Sequence, residues 1–162
     1  MAGTERSDTW AVVVYRQDGI WEVGELPPAI TGDLRAVVAA VSQQEGGGGP
    51  FALVDIADEF FVVVRLVAGQ VRLLLSDVTA AVAWDLAAQV CEALDLDVPA
   101  DDDLDEVWPA GDLGIFDDLG VDEMELGAIL SDVELYADEM LSALARRLGF
   151  ADAFERVIDV LV

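Results

Sequence analysis

The chain opens with a clear hydrophobic signal. Trp10 to Tyr15, WAVVVY, is an unbroken apolar and β-branched run of strand length, which suits a central strand buried on both faces. Asp18-Gly19 then supplies a turn, and IWEVGEL from Ile20 to Leu26 alternates, with Trp21, Val23 and Glu25 on one side and Ile20, Glu22, Gly24 and Leu26 on the other. That alternation predicts the partner strand of a hairpin at a sheet edge, ended by Pro27-Pro28, since neither proline can donate to a ladder. Thr31 is placed to cap a helix to about Gln44, whose Leu34, Val37, Val38 and Val41 fall on one stripe. Gly46 to Pro50 reads as a flexible loop. Three further strands follow: FALVDIA from Phe51, EFFVVVRLV from Glu59 and QVRLLLS from Gln70, the last two joined by a two-residue turn at Ala68-Gly69.

The pattern then changes from period two to helical. Asp77 to Asp95 predicts a helix with Val82, Leu86, Val90, Ala93 and Leu94 as its core face and Trp84 near its start. Cys91 lies beside that stripe with no neighbouring base or cation to lower its pKa, so it reads as a small buried hydrophobe. Three short helices close the chain. Asp122 with Glu125, and Asp152 with Glu155, have capping-box spacing ahead of apolar runs. Between them, Tyr136 to about Leu148 places Met140, Leu141, Leu144 and Leu148 on one side, with Arg146 and Arg147 in the last turn and Gly149 as the stop.

The order β-β-α-β-β-β-α is that of profilin-like, longin-like and roadblock-like folds. By that analogy the expected architecture is α+β: a five-stranded antiparallel sheet in spatial order 2-1-5-4-3 with a C-terminal helical appendix. An order of elements carries no function with it. The expected organisation is a sheet domain over residues 1–95, an acidic linker and lead-in over 96–120, and a short-helix appendix over 121–162 that packs with the sheet as one globular unit.

Charge changes the picture most. The chain has 33 acidic residues against eight arginines, no lysine and no histidine, for a net charge of −25. Asp95 to Glu125 holds 13 of those acids and no base, and no basic side chain occurs between Arg72 and Arg146. Yet 54% of the residues are apolar, too many for a disordered acidic chain, so the charge sits on a folded body. Such a protein repels nucleic acid and anionic membranes and attracts basic partners. Direct nucleic-acid binding is therefore not expected. Composition bias across a high-GC or salt-adapted proteome is the competing explanation of the acidity. The first eight residues are polar, and no apolar run is long enough to span a bilayer; a cytoplasmic protein is expected.

Candidate chemistry is sparse. One cysteine and no histidine leave no usual zinc or haem site, and no cofactor is expected. Asp101, Asp103 and Asp105 match the first carboxylates of an EF-hand loop, but Glu106 stands where that loop needs glycine and Asp112 where it needs glutamate; they remain weak metal candidates. FDDLGVDEMEL, Phe116 to Leu126, is similar to the segment around the prosthetic-group serine of acyl carrier proteins, but Glu123 occupies the serine's place and cannot accept the arm. No catalytic triad, nucleophile elbow or phosphate-cradling loop is present, so no catalytic residue is assigned and an enzyme is not expected. In the predicted hairpin Arg65 falls opposite Arg72. Like charges so placed oppose pairing on the roughly 0.2–1 kcal/mol scale of cross-strand pairs. They call either for an external anion or for internal salt bridges to carboxylates of the acidic half, and the abundance of carboxylates favours the second.

Most of the chain is similar to one family. WAVVVYRQDGIWEVGELP, FALVDIADEFFVVVRLV, WDLAAQVCEALDLDVP and, most specifically, Asp112 to Phe150 resemble the actinobacterial tRNA adenosine deaminase-associated proteins. The resemblance implies association, by genome neighbourhood, with the enzyme that converts adenosine to inosine at the tRNA wobble position. It supplies no catalytic motif. The deaminase itself uses H-x-E and P-C-x-x-C elements, which this chain lacks. The expectation is thus a non-catalytic accessory or partner of that deaminase or of another basic protein. Its candidate contacts are Asp101, Asp102, Asp103, Asp105 and Glu106 for long-range attraction and Trp108, Leu113, Ile115 and Phe116 for specific contact. The alternatives are a homodimerisation or protein-interaction module unrelated to tRNA and, less favoured, a carboxylate- or metal-dependent enzyme.

Overall fold

The computed structural model describes residues 9–44, 47–97, 108–132 and 134–161. The first hairpin pairs β1 (Trp10–Gln17) with β2 (Ile20–Glu25). Its turn residues Asp18 and Gly19 have φ of 55° and 80°, the left-handed pair that matches the twist of two flanking strands. After α1 (Leu34–Ser42), the strands β3 (Gly47–Ile56), β4 (Phe60–Val67) and β5 (Gln70–Leu75) form a meander. Helix α2 (Asp85–Ala93), the short β6 (Ala110–Gly111) and helices α3 (Glu123–Leu130), α4 (Ala137–Leu148) and α5 (Ala151–Leu161) complete it.

The sheet is antiparallel throughout, but among the described residues it has six strands in the order β2-β1-β3-β4-β5-β6. This corrects the five-stranded 2-1-5-4-3 expectation twice over. β1 lies beside β3 and not beside β5, and the reason is burial. Phe51 to Ile56 of β3 are all buried, so β3 cannot occupy the edge that the expected order gives it. β5 starts with exposed Gln70 and Val71, which an outer position tolerates. The sixth strand is two residues long, too short to leave a periodic signal.

Alternation along the strands supplies two cores. Ala11, Ala52, Val54, Val62, Val64, Leu73 and Leu75 face Leu34, Val37 and Val41 of α1 and Leu86, Ala87 and Val90 of α2. Trp10, Val12, Val14, Phe51, Leu53, Phe61, Val63 and Leu74 face α3, α4 and α5. The C-terminal helices therefore cover a whole sheet face. Phe150 packs its ring 5.8 Å from Phe51 and 5.5 Å from Trp21, and Phe154 lies 5.7 Å from Trp10.

Local starts and stops refine the expected boundaries. Asp33, not Thr31, caps α1, accepting from the Arg35 and Ala36 amides at 3.0 and 3.4 Å. The Thr31 hydroxyl instead donates to the Pro28 carbonyl in a preceding 3-10 turn, and Gln89 of α2 accepts from the Leu34 amide at 2.9 Å. The helix expected over 77–95 splits into a 3-10 turn, Val78–Val82, and α2, which leaves Val82 43% exposed and outside the core. Cys91 is buried, and burial raises its thiol pKa. Asp122 does cap α3, accepting from the Glu125 amide at 2.8 Å. Asp152 does not cap α5, because that helix begins at Ala151 directly after Phe150, and Asp152 sits inside its first turn. Gly149, at φ 102°, ends α4.

Gly111 is the point at which the chain leaves the sheet edge for the C-terminal helices. Its φ is 107°, and a Cβ there would stand 2.3 Å from the Leu73 carbonyl oxygen. Gly111→Ala is expected to cost about 1–3 kcal/mol in backbone strain alone, with the steric contact added. Its thermal midpoint should fall by roughly 5–10 °C; an unchanged midpoint by calorimetry would show that β6 yields freely.

Candidate partner interface

One transverse row of the sheet carries the site. Val14, Phe51, Arg65 and Arg72 occupy paired positions on β1, β3, β4 and β5, with Arg65 directly opposite Arg72. Both arginines share a face with Val63 and Leu74, the face that receives the C-terminal helices. Their mutual repulsion is relieved by the chain that crosses above them.

Arg65 is fully buried. Its guanidinium donates through both terminal nitrogens to the Asp118 carboxylate at 2.6 and 2.9 Å. The same group donates to the Ile115 carbonyl at 2.5 Å and, through Nε, to the Gly49 carbonyl at 3.1 Å. Arg72 is half-buried; its Nε donates to Asp112 Oδ2 at 2.5 Å and Nη2 to the Gly114 carbonyl at 3.0 Å. Two planar forks thus fix residues 112–118 through two carboxylates and two carbonyls, the geometry that guanidinium groups serve best. The hydrogen bond from Arg65 holds the Asp118 carboxyl below the usual carboxylate range, partly opposed by desolvation. Phe116 adds an apolar peg, its ring 4.9 Å from Phe51.

This pinning decides which predicted contacts are available. Ile115 and Phe116 are completely buried, which corrects their assignment to a docking face: their apolar surface goes to the core. Leu113 is half-buried at the surface. Trp108 is 38% exposed, and its carbonyl accepts from the Val78 amide at 2.8 Å, which places its backbone at the 3-10 turn before α2. Asp101, Asp102, Asp103, Asp105 and Glu106 lie outside the described residues. Among the described residues no three acidic or sulfur side chains are grouped to hold a metal ion.

The pinned segment presents an open depression of about 550 Å³ lined by Leu113, Asp117, Asp122, Glu123 and Met124. Met124 is 83% exposed. Capping and dipole arguments account for Asp122 and Glu123 as helix-start residues and assign Met124 no role. A signal for it exists, because Met124 is out of phase with Leu126, Ile129 and Leu130, the buried stripe of α3. Asp112 and Asp118 are not identifiable from sequence as the arginines' partners, since carboxylates are too frequent for spacing to select two of them.

Residues 9–151 match the family described as Rv3753c-like tRNA adenosine deaminase-associated protein. The chain belongs to that family. It is also similar to Protein Rv3753c of Mycobacterium tuberculosis (strain ATCC 25618 / H37Rv), with 42% identity over 156 residues that cover 95% of this chain and 90% of that protein. No solved structure matches the chain. The family is named for association with the deaminase and not as the deaminase. Among the described residues no helix is long and apolar enough to cross a membrane.

Proposed function

We propose that this protein is a non-catalytic acidic accessory of the tRNA adenosine deaminase, binding a basic surface of that enzyme. The family's name supplies the partner; the direction of the electrostatics supplies the mode. One observation carries it: Arg65 and Arg72 are turned inward onto Asp118 and Asp112, while Asp117, Asp122 and Glu123 stand exposed around a formed depression. An enzyme that binds tRNA presents cationic surface, and a partner of net charge −25 is steered toward such a surface and away from tRNA itself. The absence of H-x-E and P-C-x-x-C elements from the sequence separates this chain from the catalyst it accompanies.

The test is a titration with the cognate deaminase at about 50 and about 200 mM salt, between which the screening length falls roughly twofold. Saturable binding that weakens steeply with salt is expected. No binding at the lower salt refutes the proposal.

A further inference from the structure

The two margins of the sheet differ. At one, β6 and the Asp112 amide, which donates to the Leu73 carbonyl at 2.9 Å, occupy the outer side of β5 from Leu73 to Leu75. At the other, β2 has β1 on its inner side and, among the described residues, no strand on its outer side. The phase of its backbone groups follows from the pairing. Gln17 and Ile20 close the two-residue turn, and the Leu26 amide donates to the Ala11 carbonyl at 2.9 Å. Hydrogen-bonded pairs alternate with non-bonded ones in an antiparallel ladder, so Ile20, Glu22, Gly24 and Leu26 turn their amides and carbonyls toward β1. Trp21, Val23 and Glu25 turn theirs outward. This outer row runs from the turn at Asp18-Gly19 to Pro27, which has no N–H to add to it.

We infer that the outer edge of β2 takes up an extended basic segment of a protein partner as a further antiparallel strand. The inference deepens the accessory reading above and rests on it for the identity of the partner. In this mode the main-chain bonds supply affinity and the side chains select the occupant. Here charge selects it. Alternation puts the exposed Glu22 and Glu25 on opposite faces of β2, so a cation is favoured opposite each of them. Between them the edge is apolar: Trp21 and Val23 are half-buried against the C-terminal helices, and Ile20 is 62% exposed on the other face. Arg16, stacked 4.7 Å from the Trp21 ring, sets one positive charge against the two glutamates. A second copy is the poorer occupant, because it brings four glutamates to one seam between two bodies of charge −25. The glutamates that guard the edge against self-pairing are thus the ones that admit a basic strand.

The probe is the fluorescein-labelled peptide Arg-Thr-Val-Arg-Val-Ile, whose antiparallel register sets its arginines opposite Glu25 and Glu22 and its valines opposite Val23 and Trp21. Saturable binding to the full chain is expected by anisotropy. An analogue N-methylated at its third residue keeps every charge but loses a ladder donor, and it should bind at least about tenfold more weakly. Val23→Pro removes an outward N–H and no bond to β1, and it should weaken binding to a similar extent. Glu22→Gln with Glu25→Gln should weaken it several-fold and flatten its salt dependence. Asp85→Asn with Glu92→Gln, an equal charge change at exposed positions of α2 beside β5, should alter it less than about twofold. Amide exchange reads the mode directly: the Trp21, Val23 and Glu25 amides should slow on binding, while those of Glu22 and Gly24 are protected beforehand. No binding, equal binding of the N-methylated analogue, equal losses in the two charge variants, or slowed exchange that misses Trp21, Val23 and Glu25 overturns the inference.

Wild type and Val23→Pro are then titrated with the deaminase. If the deaminase binds both alike, the edge is not its contact, and the accessory reading survives without this inference. If it does not bind wild type, the accessory reading fails, and the peptide result alone decides the edge. Concentration-dependent self-association that Val23→Pro abolishes would overturn the inference in favour of a second copy.

Discussion

Asp118→Ala is expected to destabilise the protein more than Arg65→Met, although Asp118 is half-exposed and Arg65 has no exposure at all. The reason is which charge each substitution leaves behind. Removing Asp118 takes from a buried guanidinium the carboxylate that it grips with both terminal nitrogens, while the Ile115 and Gly49 carbonyls still accept from it. A buried charge deprived of its counter-ion costs about 3–5 kcal/mol; water at the exposed side of Asp118 can solvate one edge of the fork, so about 2–4 kcal/mol is expected. Removing Arg65 strands no buried charge, because Asp118 can hydrate. Methionine refills the volume, and the main loss is a donor to two carbonyls, on the order of 1–3 kcal/mol. Denaturant melts of the two variants and of the double variant check the order. Equal or reversed costs would mean that the packing of the arginine stem, not its charge, governs the site.

The same pair sets an acid limb. The native Asp118 carboxyl lies below its ordinary value of about 3.9, so in acid the unfolded chain takes up its proton first. The stabilisation is complete above the unfolded pKa and is lost as pH falls through the native one. Protonating the other carboxylates works in the opposite sense, by relieving the repulsion of a −25 chain. The quantity to measure is therefore the difference in stability between wild type and Asp118→Ala. It should be constant from neutral pH to about pH 5, then shrink toward zero in stronger acid; a difference independent of pH would remove the ion pair as its cause.

How much of the fold and the site is legible in the sequence depends on whether a signal is local. The run at Trp10 identifies a strand buried on both faces, the runs at Phe51 and Phe60 identify strands, and Asp18-Gly19 and Ala68-Gly69 identify two of the turns. The second turn also sets Arg65 opposite Arg72. The neighbour of β1 is not legible from the order of elements. Composition does carry it, since FALVDI has no polar side that an edge strand could turn to water. The site divides in the same way. Ile115 and Phe116 look like exposed apolar residues within an acidic stretch, and only the crossing of 112–118 over the sheet shows that they are core. Met124 is an exposed apolar residue out of phase with the buried stripe of α3.

The two-face architecture makes a further prediction about what folds. A chain truncated after residue 97 keeps β1 to β5, α1 and α2, but it loses every helix on the second face. Eight apolar side chains, Trp10, Val12, Val14, Phe51, Leu53, Phe61, Val63 and Leu74, would then meet water. At about 1.5–3 kcal/mol for each large side chain, that removes on the order of 10–20 kcal/mol. The whole stability of a domain this size is about 5–15 kcal/mol, so the loss exceeds what the remaining face supplies. Arg65 would in addition lose Asp118 and the Ile115 carbonyl. The truncated chain should show no cooperative thermal transition, bind a hydrophobic dye and aggregate, although its composition through residue 97 includes every long strand. The acidic stretch beyond residue 97 is then a connection inside one folding unit, and a sharp melt of the truncated chain would instead make it a boundary between two.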